Sequence, residues 1–236
     1  MLGVSTFCLH HEPLESALDQ ISDITSLIEI MDDGLHYVAD STLLGSYDIN
    51  YSLHAPSRGV NIASLLDPIR RASVEVTGQC FRVAAEVNAD VIVHPGYFAW
   101  TEERELAVRQ LKKSLLELAV LSDEYSISFF VENMGNWNYF FLRSPDELEL
   151  IGDIGFALDV GHAHLNGCLD EFLTCPIRHI HLHDNDGTDD THKPVGDGTI
   201  DFEPVMKAVK SNGATQIVEV DTFEGVQRSI EVLEKM

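Results

Sequence analysis

The stretch Arg178-His179-Ile180-His181-Leu182-His183 alternates imidazole and aliphatic side chains with a period of two. That period belongs to a β-strand, whose successive side chains point to opposite faces. The three histidines share one face while Ile180 and Leu182 share the other, so this strand stands between a polar interior and an apolar outer layer. Two other apolar runs repeat the arrangement with carboxylates: Asp159 lies between Leu158 and Val160, and Glu219 between Val218 and Val220. An unpaired charge pointing inward is costly, and a bound cation would compensate it.

Around these runs, short apolar segments alternate with longer amphipathic ones, and turn residues mark almost every junction. Strands are expected over 2–7, 26–32, 48–55, 89–94, 126–133, 155–161, 177–184 and 215–221. Helices are expected over 13–24, 62–88, 102–125, 145–151, 201–211 and 223–234, with Ser144-Pro145 supplying a cap and a first-turn proline to the fourth. At most an irregular helix over 35–45 follows the second strand, and only 168–174 is available after the sixth. Right-handed βα units make either a closed barrel or an open doubly wound sheet. No G-x-G-x-x-G and no G-x-x-x-x-G-K-[ST] follows any strand, and eight units are the number that closes a barrel. The expected fold is α/β, a single (β/α)8 TIM barrel over 1–236, with no linker, tandem repeat or composition shift to mark a second domain.

The chain has 15 Lys and Arg against 39 Asp and Glu, a formal net charge of −24. Nucleic acid is bound chiefly by cations neutralising phosphates, so a field of this sign argues against such a partner. The acidity fits a high-salt cell interior or simple solubility. No apolar run approaches the roughly 18 residues that span a bilayer, and the opening Met-Leu-Gly-Val-Ser-Thr-Phe is unlike a signal peptide. A soluble, cytoplasmic protein is expected. Cys8, Cys80, Cys168 and Cys175 form no C-x-x-C pair and read as buried reduced thiols.

From the third strand onward, nearly every strand ends in a metal-binding type of side chain: His54, His94, Glu132, Asp159, His181 with His183, and Glu219. In a (β/α)8 barrel these ends converge on one mouth. A single histidine ending an apolar strand is more often an ordinary hydrogen-bonded residue. Repetition across successive strand ends, in a chain short of basic partners, inverts that balance. Carboxylates and imidazoles together are ordinary ligands of Zn, Mn or Co ions. Two aromatic clusters follow strands four and five, Tyr97, Phe98 and Trp100 and then Trp137, Tyr139, Phe140 and Phe141, placed either to wall a substrate pocket or to pack the rim.

These residues resemble the xylose isomerase-like TIM barrels, a group that includes sugar isomerases and epimerases and the endonuclease IV class of apurinic endonucleases. The resemblance covers essentially the whole chain. It rests on His54-Ala-Pro, Val93-His94-Pro95-Gly96, Val131-Glu132-Asn133, Leu158-Asp159-Val160-Gly161-His162-Ala163, His181-Leu182-His183-Asp184-Asn185, His192-Lys-Pro-Val-Gly196-Asp197-Gly198 and Val218-Glu219-Val220. The epimerase branch implies one divalent ion held by Glu132, Asp159, His181 and Glu219, with His162 near the substrate and the two glutamates as the acid/base pair. There an ion polarises a carbonyl while opposed carboxylates remove and return a proton beside it. The endonuclease branch implies a three-zinc cluster, with matching positions at His54, His94, Glu132, Asp159, His162, His181, Asp190, His192 and Glu219. Against that branch stand the shorter chain and the scarcity of Arg and Lys in the mouth loops.

The expected function is therefore a divalent-metal-dependent sugar or sugar-phosphate isomerase or epimerase, with Zn or Mn as cofactor and room for more than one ion per chain. The catalytic candidates are Glu132, Glu219 and His162, and the substrate-binding candidates Arg58, Trp100, Trp137 and Lys193. Arg143 joins Arg58 and Lys193 as a phosphate-binding candidate. The alternative is an endonuclease IV-like zinc-dependent AP endonuclease or phosphodiesterase, and a non-catalytic metal-binding barrel is a third class. The partner is a small carbohydrate rather than nucleic acid or membrane, with homo-oligomerisation left open. Ligating histidines must be neutral, so metal binding is expected to weaken as pH falls toward about 6.5.

Overall fold

The computed structural model describes residues 2–236. Eight parallel strands run in sequence order around a closed barrel. They are β1 (Leu2–Ser5), β2 (Leu27–Met31), β3 (Asn50–His54), β4 (Asp90–Val93), β5 (Phe129–Glu132), β6 (Gly155–Asp159), β7 (Ile177–Leu182) and β8 (Thr215–Val218). Closure runs through β1, where Val4 pairs with Ile28 on one side and Val218 on the other. The regular ladders stop short of the sequence-expected ends, but single interstrand bonds and the inward alternation run on for a residue or more, as where the Glu219 N–H donates to the Leu182 carbonyl at 3.1 Å. Glu219 and His183 lie just beyond their strands and are still buried.

The outer layer holds α1 (Leu14–Ser22), α2 (Asp67–Val87), α3 (Arg104–Tyr125), α4 (Val160–Leu165), α5 (Leu169–Phe172), α6 (Phe202–Asn212) and α7 (Phe223–Leu233). Proline stands in the first turn of α2, and Asn88 and Ser126 end α2 and α3 in the left-handed conformation, at φ 55° and 57°. Only short 3-10 turns follow β2, and the helix expected over 145–151 is a 3-10 turn as well. Ser144 precedes that turn without a side-chain capping bond, so the expected cap is corrected. Glu147 instead reaches back across the start of the turn, its Oε2 accepting the Arg143 N–H at 2.9 Å.

A second correction concerns 160–165, expected as strand end and loop. Asp159 ends β6 and at once caps α4, its Oδ1 accepting the His162 N–H at 2.6 Å. Gly161 permits this sharp start, since a Cβ there would fall 2.0 Å from the His183 ring. In β7 the ladder to β6 passes from Ile177 to His179, and the skipped Arg178 is exposed. All four cysteines are free; Cys8 and Cys80 are buried as expected, whereas Cys168 and Cys175 are half-buried. Among the described residues no helix is long and apolar enough to cross a membrane.

Helix and barrel meet in an apolar layer in which Phe81 of α2 is fully buried, its ring 5.2 Å from that of Phe129 on β5. Truncating so large a buried ring removes its transfer free energy and leaves a cavity. Phe81→Ala should lower unfolding stability by about 3–5 kcal/mol. Urea denaturation checks this, and an unchanged midpoint would contradict the packing.

Candidate metal and active site

Glu132, the last residue of β5, is buried at the centre of the polar cluster. Its Oε2 lies 3.3 Å from His54 Nε2 and 3.2 Å from His94 Nε2. Its Oε1 lies 3.4 Å from His181 Nδ1, which is also 3.5 Å from Glu219 Oε2 and 3.8 Å from Asp159 Oδ2. On the far side, Asp190 Oδ2 stands 3.0 Å from His162 Nε2 and 3.4 Å from His192 Nε2. The barrel thus unites every residue expected to ligate, in three groups, His54, His94 and Glu132; Asp159, His181 and Glu219; and His162, Asp190 and His192, linked by a fourth made of Glu132, Asp159 and His162.

The donor set fits divalent ions. Ligand atoms about 2.1 Å from a tetrahedral ion stand roughly 3.4 Å from one another, which matches these separations. Imidazole orientation agrees. His54, His162 and His192 donate Nδ1–H to the carbonyls of Ala55, Asn133 and Glu219 at 3.0, 2.9 and 2.9 Å. A carbonyl only accepts, so in the neutral ring Nε2 carries the lone pair; that atom faces Glu132 in His54 and Asp190 in His162 and His192, while His162 Nδ1 also lies 3.4 Å from Glu132 Oε1. His181 Nδ1 is buried and makes no hydrogen bond, although carboxylates flank it.

The surroundings hold the donors in place. Both oxygens of Asp159 lie 3.0 Å from His183 Nε2, and the His183 ring stacks on His192 with centroids 3.9 Å apart. Ser5 Oγ donates to Glu219 Oε1 at 3.2 Å. Asp190 and His192 belong to a long loop after β7 that is pinned by the buried Asp184 carboxylate, which accepts backbone N–H groups from Asn185, Gly196, Gly198 and Ile200 at 2.9–3.1 Å. Gly198 is required there, because a Cβ would lie 2.3 Å from Asp184 Oδ1.

Burial raises the Glu132 carboxyl, but His181, His94 and His162 outweigh it and hold it well below the usual carboxylate range. Burial likewise depresses the imidazoles, and the carboxylates reverse this for most of them. His54 is raised to about 9, chiefly by Glu132, and His192 to about 9 by Asp190. His162 and His181 are raised well above the ordinary value by their carboxylate neighbours. His94, where burial prevails, is lowered. Protons on the imidazoles thus balance the carboxylates, and an entering cation must displace them.

A cavity of about 650 Å³ opens above the cluster, lined by His54, His94, Glu132, His162, Asp190, His192 and Glu219 at its floor. The structure divides the aromatic clusters. Tyr97, Trp137 and Phe140 line the cavity, joined by an antiparallel bridge from Tyr97 to Phe140 and by ring centroids 5.5 Å apart for Tyr97 and Trp137. Phe98 and Phe141 are buried packing residues, while Trp100 is 65% exposed and outside the lining. Among the expected cations Arg58 lines the cavity. Lys193 does not, and is paired with Asp186. Arg143 is engaged with Asn166 and Asn138. Sequence reading passed over Glu29, whose place between Ile28 and Ile30 carries the same signal as Glu219 between its valines.

The raised His54 and His192 move the expected pH window upward from 6.5. Their protonated forms stabilise the metal-free fold fully below about 6.5, and this is lost as pH rises through about 9. The metal-free melting temperature should therefore fall between those limits, while affinity for Zn or Mn rises and protons are released on binding. Calorimetry in buffers of different ionisation enthalpy measures both, and affinity independent of pH over this range would contradict the assignment. Asp184→Ala should free the loop and weaken the His162, Asp190 and His192 group while leaving the barrel folded, read as a lower metal stoichiometry with unchanged far-UV circular dichroism.

Residues 41–236 match the profile of the family described as xylose isomerase-like TIM barrel. An uncharacterized protein of Methanocaldococcus jannaschii is 35% identical over 229 residues, covering 93% of this chain and 91% of the relative. A solved structure described as a D-tagatose 3-epimerase-like protein superposes with TM-score 0.91 at 28% identity, covering 99% of this chain and 96% of that one. A probable endonuclease 4 of Mycobacterium leprae is 29% identical over 199 residues, with 77% of each chain covered. Barrel closure, the strand-end donors and this match agree, and the chain belongs to the xylose isomerase-like TIM barrel family.

Proposed function

We propose that this protein is a divalent-metal-dependent isomerase or epimerase of a small sugar or sugar phosphate, moving a proton at a carbon beside a carbonyl. The observation that carries the reading is the pair Glu132 and Glu219, buried carboxylates that face His181 Nδ1 at 3.4 and 3.5 Å from different strands and both line the cavity. A cation held by Glu132, Asp159, His181 and Glu219 would supply a Lewis acid for the substrate's carbonyl oxygen. Glu132 lines the cavity and is placed to take the proton, its basicity rising once the imidazole protons that hold its carboxyl low have left. Glu219, fixed through Oε1 by Ser5, approaches from another strand and is placed to return it. His162 reaches the same cavity with its Nε2 and can bind a substrate hydroxyl. The apolar faces of Tyr97, Trp137 and Phe140 suit the C–H face of a sugar, and Arg58 is the cation in the lining that can meet a phosphate.

A second reading, hydrolysis of a phosphoester, is favoured by the flanking groups His54 with His94 and His162 with Asp190 and His192, since clustered ions suit that reaction. The net charge of −24 disfavours DNA as its substrate.

Incubating the metal-loaded protein with ketoses, aldoses and their phosphates in heavy water should place deuterium beside the carbonyl. Glu132→Gln and Glu219→Gln should each reduce exchange by about a hundredfold or more. Arg58→Ala should raise KM for a phosphorylated substrate and leave the unphosphorylated sugar unaffected. Absence of exchange, together with metal-dependent cleavage of an abasic-site oligonucleotide or a simple phosphodiester, would replace the isomerase reading with the hydrolytic one.

A further inference from the structure

Glu29, in the middle of β2, is fully buried and takes no part in the chemistry proposed above. It sits in register with Ser5 on β1 and Ser52 on β3, one level below the cavity floor. Its Oε1 lies 2.8 Å from His181 Nε2 in hydrogen-bonding geometry. Its Oε2 accepts from Ser52 Oγ at 2.8 Å and lies 2.9 Å from His179 Nε2. Both carboxylate oxygens are therefore held, and the carboxylate cannot swing away from His181. Beneath it, His179 and Ser52 border a polar cavity of about 400 Å³ at the N-terminal end of the barrel, together with Asp90, Ser128 and Thr215.

An ionised carboxylate offers only acceptors, so the His181 nitrogen facing it carries hydrogen. The opposite nitrogen, Nδ1, is the one that looks toward Glu132, Asp159 and Glu219. We propose that Glu29 is a positioning residue that holds the His181 proton on Nε2 and so presents the Nδ1 lone pair to the cation. The inference rests on the metal-site reading above. A carboxylate behind a ligating imidazole fixes ring and tautomer and increases the basicity of the ligand.

Glu29, His179 and His181 also lie close enough to hold an ion of their own. That use would need the lone pair of His181 on Nε2 and its proton on Nδ1. The Asp159, His181 and Glu219 group would then lose its imidazole, while the lower group would have Glu29 and His179 as its remaining members. The hydrogen bond at 2.8 Å to Glu29 supports the arrangement with hydrogen on Nε2.

The test compares zinc affinity, by competition with a chromophoric chelator, and zinc stoichiometry in the wild type, Glu29→Gln and Glu29→Asp. Glu29→Gln keeps the shape and removes the charge, and should weaken zinc binding by about 10–100-fold without lowering the number of sites. Glu29→Asp, which keeps the charge, should recover part of the affinity. Long-range proton–nitrogen correlation spectra of the zinc-loaded wild type should show His181 protonated at Nε2, a result that does not require any variant to fold. Zinc absent from the wild type would overturn the metal reading itself. Zinc bound equally by wild type and Glu29→Gln, or a His181 proton on Nδ1, would overturn only the role of Glu29. Loss of one whole ion in Glu29→Gln would show a separate site there instead.

Discussion

Negative charge on the barrel axis is the constraint to which the rest of the structure answers. Glu29, Glu132, Asp159 and Glu219 are all buried. The Lys and Arg ion pairs among the described residues lie elsewhere, so compensation near the axis falls to imidazoles. Buried carboxylates left unpaired would cost several kcal/mol each. His54 of β3, His94 just beyond β4, His162 of α4, His181 of β7 and His192 of the loop after β7 therefore have a structural task even before any ion binds. On the proposed reading they would exchange that task for ligation when a cation arrives, which would couple the site's charge balance to its occupancy. The same balance is why the expected pH window lies above that of free histidine: the carboxylates of Glu132 and Asp190 raise His54 and His192 to about 9.

Much of this was legible from alternation alone. The period of two in β7 and the lone carboxylates at Asp159 and Glu219 reported inward-facing polar groups, and the structure buries all of them. What alternation does not report is depth. Glu29 carries the same pattern but lies mid-strand, where no turn follows to suggest a mouth, and its role becomes visible only through the register with Ser5 and Ser52. The expected strands run past the regular ladders because side chains go on pointing inward, and single interstrand bonds go on forming, beyond them, and Asp159 shows how a strand can end as a helix cap. The loops were least legible. Trp100 and Trp137 are equivalent in composition, but only Trp137 sits where the Tyr97–Phe140 bridge folds the rim over the cavity. Lys193 is bound up in its own loop by Asp186, a contact no periodicity predicts.

Glu132 also links occupancy to reaction type. Its two oxygens face different groups, Oε2 toward His54 and His94 and Oε1 toward His181. A carboxylate that shares both oxygens with cations has little basicity left for a carbon acid, because each nearby positive charge lowers its proton affinity. Proton transfer by Glu132 therefore requires that the His54 and His94 side not compete for it. Hydrolysis of a phosphoester makes the opposite demand, using neighbouring ions to carry both nucleophile and leaving group. On the two readings proposed above, the same side chains would serve either reaction, and the number of ions held would select between them. Three features of the chain bear on that number: the proton-loaded His54 and His192, the lowered His94, and the Asp184 clamp on the loop that brings in Asp190. The clamp fixes where Asp190 and His192 stand, while proton competition acts through His54 on the first donor group and through His192 on the third.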